Sequence, residues 1–76
     1  MNKRLLRSHM ALHGDTNKSL AEYLGISAQS VCNKINEKGT EFTRKEISAI
    51  SQKYGMDANM VDRVFFAEEV SDLDTE

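Results

Sequence analysis

Four glycines (Gly14, Gly25, Gly39 and Gly55) and no proline cut this chain into stretches of helical length. Glycine enters the left-handed backbone without a Cβ penalty, so it commonly closes a helix. The absence of proline removes Pro-rich linkers, collagen-like repeats and strands bounded by Pro-Gly turns. A chain of 76 residues makes one domain. At this size roughly 60% of the unfolded surface becomes buried, so the core must be compact and the helix ends well capped.

The segments between the glycines carry helix signals. About Asn2–His13, residues Leu5, Leu6, His9, Met10, Leu12 and His13 share one broad helical arc. Thr16 caps a second helix, Asn17–Leu24, with Leu20, Ala21 and Leu24 as its buried stripe and Gly25 as its stop. Ser27 caps the third, and Ile26 with Val31 forms a hydrophobic staple. Thr43-Arg44-Lys45-Glu46 reads as a capping box, with Phe42 and Ile47 as staple and Ile47, Ile50 and Tyr54 as core stripe. Asp57 caps the fifth helix, Met56 and Val61 repeat the staple, and Val61, Val64 and Phe65 supply an apolar face. The expectation is all-α: five short helices over residues 1–66, a solvated tail over 67–76, no strand and no internal repeat.

The net charge of −2 conceals an asymmetry. Residues 1–66 hold all ten Lys and Arg against seven acids, whereas residues 67–76 hold five acids and no base. A mildly basic body thus carries an acidic tail, expected to be disordered and solubilising. No apolar run approaches the ~20 residues of a membrane span. The start, Met1 to Arg7, has neither the apolar stretch nor the small-residue cleavage site of a signal peptide. The lone Cys32 builds no disulfide or cysteine zinc site within the chain, which suits a reducing compartment.

The informative stretch runs from Thr16 to Glu37. Two helices of eight or so residues flank Gly25-Ile26-Ser27, and small Ala21 allows them to cross closely; such a pair is a helix-turn-helix unit. On the second helix, at about 100° per residue with Val31 at the origin, Ile35 falls near ~40° and Ala28 near ~60°, which defines the buried side. Gln29, Asn33 and Asn36 fall at about 160°, 200° and 140°, opposite the core anchor, with Ser30 and Lys34 flanking them. No acid stands between Ile26 and Asn36. Surface helices ordinarily favour Glu, Lys and Arg over Asn, a poorer helix former, so three amides without acids favour base reading over a plain solvated face. Asn and Gln each match the N6/N7 edge of adenine with one donor and one acceptor.

Leu20-Ala21-Glu22-Tyr23-Leu24-Gly25-Ile26-Ser27-Ala28-Gln29-Ser30-Val31 resembles the helix-turn-helix of the Cro/C1-type, phage repressor-like transcriptional regulators. Phe42-Thr43, Glu46-Ile47, Ile50 and Tyr54-Gly55-Met56 resemble the fourth helix of that family and the entry to its fifth, so the likeness covers about residues 5–66. It implies a lambda-repressor-like five-helix DNA-binding domain that acts as a homodimer on a two-half-site operator, in the cytoplasm of a prokaryotic or phage-infected cell. The DNA-contacting set it implies is Asn17, Lys18, Ser27, Ala28, Gln29, Ser30, Asn33, Lys34, Asn36 and Lys38. Within that set Asn17 holds phosphate at the start of the second helix. Ala28, Gln29 and Asn33 face bases, and Lys34 and Lys38 hold phosphates. Ala28 departs from the polar residue common there and offers an apolar contact suited to a thymine methyl. Glu37 stands where many members carry glycine or a neutral residue.

Other residues read more plainly. His9 and His13 have the i, i+4 spacing of a zinc pair, but no Glu lies between them and no third ligand is near, so structural histidines are expected. Cys32 falls at the core edge as a small apolar residue. Lys3, Arg4 and Arg7 crowd a helix N-terminus where the dipole disfavours cations, which fits either a DNA-contacting arm or a solvated helix start. No nucleophile elbow, phosphate loop or metal cluster occurs, so neither an enzyme nor a cofactor is expected. The rival reading is a helix-turn-helix used as a protein-interaction module, an anti-repressor or assembly adaptor, which the weak basic charge favours. Met60, Val61, Val64, Phe65 and Phe66 exceed what one helix buries on so small a body. A weak homodimer with Met60 and Phe66 near its axis is expected.

Overall fold

Each helix begins where a short polar side chain reaches back to the backbone. In the computed structural model, which describes residues 1–67, the helices are α1 (Lys3–Leu12), α2 (Asn17–Leu24), α3 (Ala28–Ile35), α4 (Arg44–Tyr54) and α5 (Ala58–Val61). Beyond α5 the chain widens into a π-helical turn, Asp62–Phe66. The side chains of Asn2, Thr16, Ser27, Thr43 and Asp57 each accept the N–H three residues on. The last four are the caps read from the sequence; Asn2, expected inside the first helix, is instead its cap. The Thr43–Glu46 capping box is present, with the Thr43 N–H donating to Glu46 Oε1 at 2.9 Å. A second box at Thr16–Ser19 uses a serine as the reciprocal partner, its Oγ 2.9 Å from the Thr16 nitrogen.

The first four helices close alike, through one residue in the left-handed region and a backbone bond reaching five residues back. Gly14, Gly25, Glu37 and Gly55 take the left-handed position. The N–H groups of Asp15, Ile26, Lys38 and Met56 then bond to Met10, Ala21, Asn33 and Ser51 at 2.8–3.0 Å. The exception to the glycine rule is α3, which ends on Glu37 at φ 55°, two residues before the Gly39 that the sequence offered as punctuation.

Side chains from every long helix meet in one core: Leu6 and Met10 of α1, Leu20 and Ala21 of α2, Val31 and Ile35 of α3, Ile50 and Tyr54 of α4, with Phe42 from the loop and Val64 and Phe65 from the π turn. Full burial of an aliphatic chain such as Leu20 or Ile35 contributes about 1.5–3 kcal/mol. Phe42 and Phe65 meet edge to face at 6.0 Å and 83°, an arrangement that suits the ring quadrupoles. α2 packs chiefly on α3, and the π turn packs on α1, where the Asn2 N–H donates to the Val64 carbonyl at 2.8 Å. Among the described residues there is no strand, and no helix is long and apolar enough to cross a membrane.

Three expectations need correction. Leu12, placed on one arc with Leu6 and Met10, is 81% exposed, and His13, the cap that follows α1, is exposed although its ring packs on Tyr54. Ala28, placed on the core side, is exposed; a first-turn side chain leans past the helix end, where no neighbour covers it. The fifth helix, expected to run as α to Phe66, has a single α-helical turn before its bonds lengthen to five residues, ending with the Ala67 N–H on Asp62 O at 2.8 Å. Except for Ala67, the acidic tail lies outside the described residues.

Candidate nucleic-acid interface

The geometry of α3 follows from its two ends. Gly25, at φ 75°, reverses the chain after α2, and Ser27 starts α3 two residues later. Val31 and Ile35 are buried, which rotates Gln29 away from the core. Gln29 is exposed and Asn33 half-buried, and Gln29 Nε2 donates to Asn33 Oδ1 at 3.0 Å. The two amides expected to face outward thus meet as a pair. Ser27 and Ser30 serve the cap: Ser27 Oγ accepts the Ser30 N–H and donates to Ser30 Oγ, both at 3.0 Å.

Asn17 and Lys18 of α2 and Ala28, the first residue of α3, line a shallow depression of about 550 Å³, together with Arg7 and Met10 of α1. Arg7 and Lys18 are exposed and form no ion pair among the described residues. Arg7, whose role the sequence left open between arm and solvated surface, therefore shares a face with the start of α2 and of α3. Nothing in its local sequence announces this; only the fold sets this face of α1 beside the starts of α2 and α3.

Asp15 also borders the depression, and its charge is taken up internally. Tyr54 Oη and Ser19 Oγ each donate to it at 2.7 Å, and Lys53 Nζ stands 3.5 Å away. Burial pushes the Asp15 carboxyl up, but the Ser19 and Tyr54 hydrogen bonds and the Lys53 ammonium outweigh it and hold the group below its usual range. Burial, then the Asp15 hydrogen bond and charge, push Tyr54 up from its usual value. His9 and His13 stack along the same Tyr54 ring, at 6.2 and 4.7 Å. The two histidines therefore have a packing role, one of them at the surface.

Two members of the expected set, Lys34 and Asn36, are held elsewhere. The Lys34 ammonium bonds to Glu46 Oε1 at 2.9 Å, with only 13% of its side chain exposed, which joins α3 to α4 rather than to a ligand. Its wheel position, about 300° from Val31 and so near the core edge, was the signal for this. The amide of Asn36 donates to Cys32 O at 3.1 Å and accepts from Lys3 Nζ at 3.1 Å, so it ties the end of α3 to α1. The Cys32 thiol, half-buried at the core edge, lies 3.5 Å from the same amide nitrogen. The backbone of Lys38 closes α3, while its side chain is exposed.

Burial raises the Glu46 carboxyl, but the Thr43 backbone bond and Lys34 prevail and hold it below its usual range. On another side of the molecule, Phe42, Ile47, Val61 and Phe66 line a groove of about 500 Å³ between α4 and the C-terminal turns. Phe66 there is 64% exposed. Comparison with family models, curated proteins and solved structures found no match.

Proposed function

We propose that this chain is a sequence-specific regulator that binds double-stranded DNA, with α2 and α3 acting as a helix-turn-helix and α3 entering the major groove. The observation that carries the reading is the Gln29–Asn33 amide pair on an acid-free helix, whose first residue, Ala28, lines a depression with Arg7 and Lys18, two cations without an ion pair among the described residues. Amides supply the donors and acceptors that base edges require, and the cations supply phosphate contacts. The resemblance of residues 20–31 to Cro/C1-type regulators points the same way. In this reading Asn17, Lys18, Arg7 and Lys38 hold phosphates, Gln29 and Asn33 read bases, and Ala28 offers an apolar contact. Lys34 and Asn36 keep α3 in place. Operator occupancy then controls transcription by steric or positional means, and no catalytic step is involved.

The exposed Phe66 beside an apolar groove supports a weak isologous homodimer, which would set two α3 helices in successive major grooves about 34–36 Å apart. The same feature favours the rival reading, a protein-interaction module. Selection from random duplexes followed by a salt titration separates them. A regulator enriches a palindromic motif and binds it with an affinity that falls steeply with salt. An adaptor enriches nothing and holds DNA weakly at every salt concentration, a result that would overturn the proposal.

A further inference from the structure

The bond between Gln29 and Asn33 determines what the two amides present to a ligand. Each carboxamide has two N–H donors and an oxygen with two lone pairs. The 3.0 Å contact uses one Gln29 N–H and one Asn33 lone pair. Left without a partner among the described residues are Gln29 Oε1, the second Gln29 N–H and both N–H groups of Asn33. Residues four apart on a helix are neighbours, so the tie also fixes the plane of the longer and more mobile Gln29. A free glutamine would lose that freedom only on binding.

We propose that Asn33 is a positioning residue for Gln29 as well as a reader, and that the pair recognises a two-base step as one unit. This rests on the DNA-binding reading above. Gln29 Oε1 accepts from adenine N6 while its free N–H donates to adenine N7. An Asn33 N–H then donates to the neighbouring base, which must offer an acceptor: N7 of adenine, N7 or O6 of guanine, or O4 of thymine. Cytosine, which offers an N4 donor to the major groove, is disfavoured there. The recognised step is adenine beside any base but cytosine.

The test is a double-mutant cycle on the selected duplex and on its single-base variants, read as ratios of affinity rather than as absolute affinity. Gln29→Ala should cut the adenine preference about tenfold. Asn33→Ala should cut the neighbouring preference and also lower the adenine preference severalfold, with the double variant no worse than Gln29→Ala at adenine. Asn33→Asp keeps the acceptor that holds Gln29. It should retain the adenine preference while turning the neighbouring position toward cytosine, whatever its effect on overall affinity. A merely structural role for Asn33 would weaken all sequences alike and leave the ratios unchanged. Independent effects at the two positions, with adenine preference intact in Asn33→Ala, would overturn the coupling while leaving DNA binding standing. Failure of the parent protein to prefer any duplex would overturn both.

Discussion

Gln29 and Asn33 hold each other and leave their remaining polar atoms to solvent, whereas Lys34 and Asn36, at the C-terminal end of the same helix, are bonded to α4 and α1. The residue types are alike, since both stretches offer an amide and neither contains an acid before Glu37. What differs is the neighbourhood. Gln29 and Asn33 have no bonded partner on another helix among the described residues, while Lys34 and Asn36 lie within reach of Glu46 of α4 and Lys3 of α1. A polar side chain within reach of a fixed opposite charge is drawn into the fold; one without such a neighbour remains free to bind. The comparison divides α3 into a side whose amides stay open, which we propose reads bases, and an anchoring end held by Lys34 and Asn36.

The largest expected effect tests the anchoring end. Lys34→Ala leaves Glu46 without its ion-pair partner in a site where both side chains are mostly covered. We expect a loss of about 1–3 kcal/mol, below the full cost of a dry buried pair because some exposure remains. At this chain length each kcal/mol lowers Tm by about 4–8 °C. Base preference should not change. A Lys34→Ala protein that melts like its parent but loses DNA affinity would reverse the assignment of this residue.

Acid titration sharpens the same point. The folded Glu46 carboxyl lies below its unfolded value, so its contribution is present above the ordinary glutamate range and is lost as pH falls through the folded value. Stability curves against pH should therefore decline on the acid side, and Lys34→Ala should decline less steeply there. Identical acid limbs would mean that the pair contributes nothing.

A smaller effect is expected at Lys38, which has an exposed side chain just past the anchoring end. Lys38→Ala should leave melting unchanged and reduce the slope of log affinity against log salt by about one unit, equally for all sequences. A change of base preference would move Lys38 to the reading set. The smallest effect concerns Glu37. Its left-handed backbone suits glycine, and its contact with the Met1 ammonium, at 3.4 Å with the Glu37 side chain 53% exposed, adds little. Glu37→Gly should stabilise by about 0.5–1 kcal/mol, a gain visible as a small rise in Tm. Destabilisation would show that the carboxylate matters more than the backbone.

The caps at Thr16, Ser27, Thr43 and Asp57 were legible because capping is a local exchange between a side chain and an N–H three residues away. Every atom involved lies within one turn of sequence. Val31, Ile35, Ile50 and Tyr54 were legible for a related reason, since burial repeats with the helical period. The outward face of Gln29 followed from the same period. Lys34, Asn36 and Arg7 were misread or left open because their surroundings come from other helices. The angle of Lys34 put it near the core edge, but only the approach of α4 supplied Glu46. Asn36 lay on the outward arc by angle, yet α1 brought Lys3 to it. Leu12 followed the arc of α1 and still found nothing to cover it.

The sequence by itself determined where this chain turns helical, where the first, second and fourth helices stop, and which side of each long helix faces inward. These are decisions of hydrogen bonds and periodicity inside ten or so residues. The tertiary structure decided which polar side chains are left for a partner. It consumed Lys34, Asn36 and Asp15 in contacts between elements, set Arg7 and Lys18 on one depression, and ended α3 on Glu37 two residues before the available glycine. The reason is that a charge or an amide is satisfied by whatever lies within about 3 Å, and for Lys34, Asn36 and Asp15 those neighbours include Glu46, Lys3 and Tyr54, which only the fold brings near.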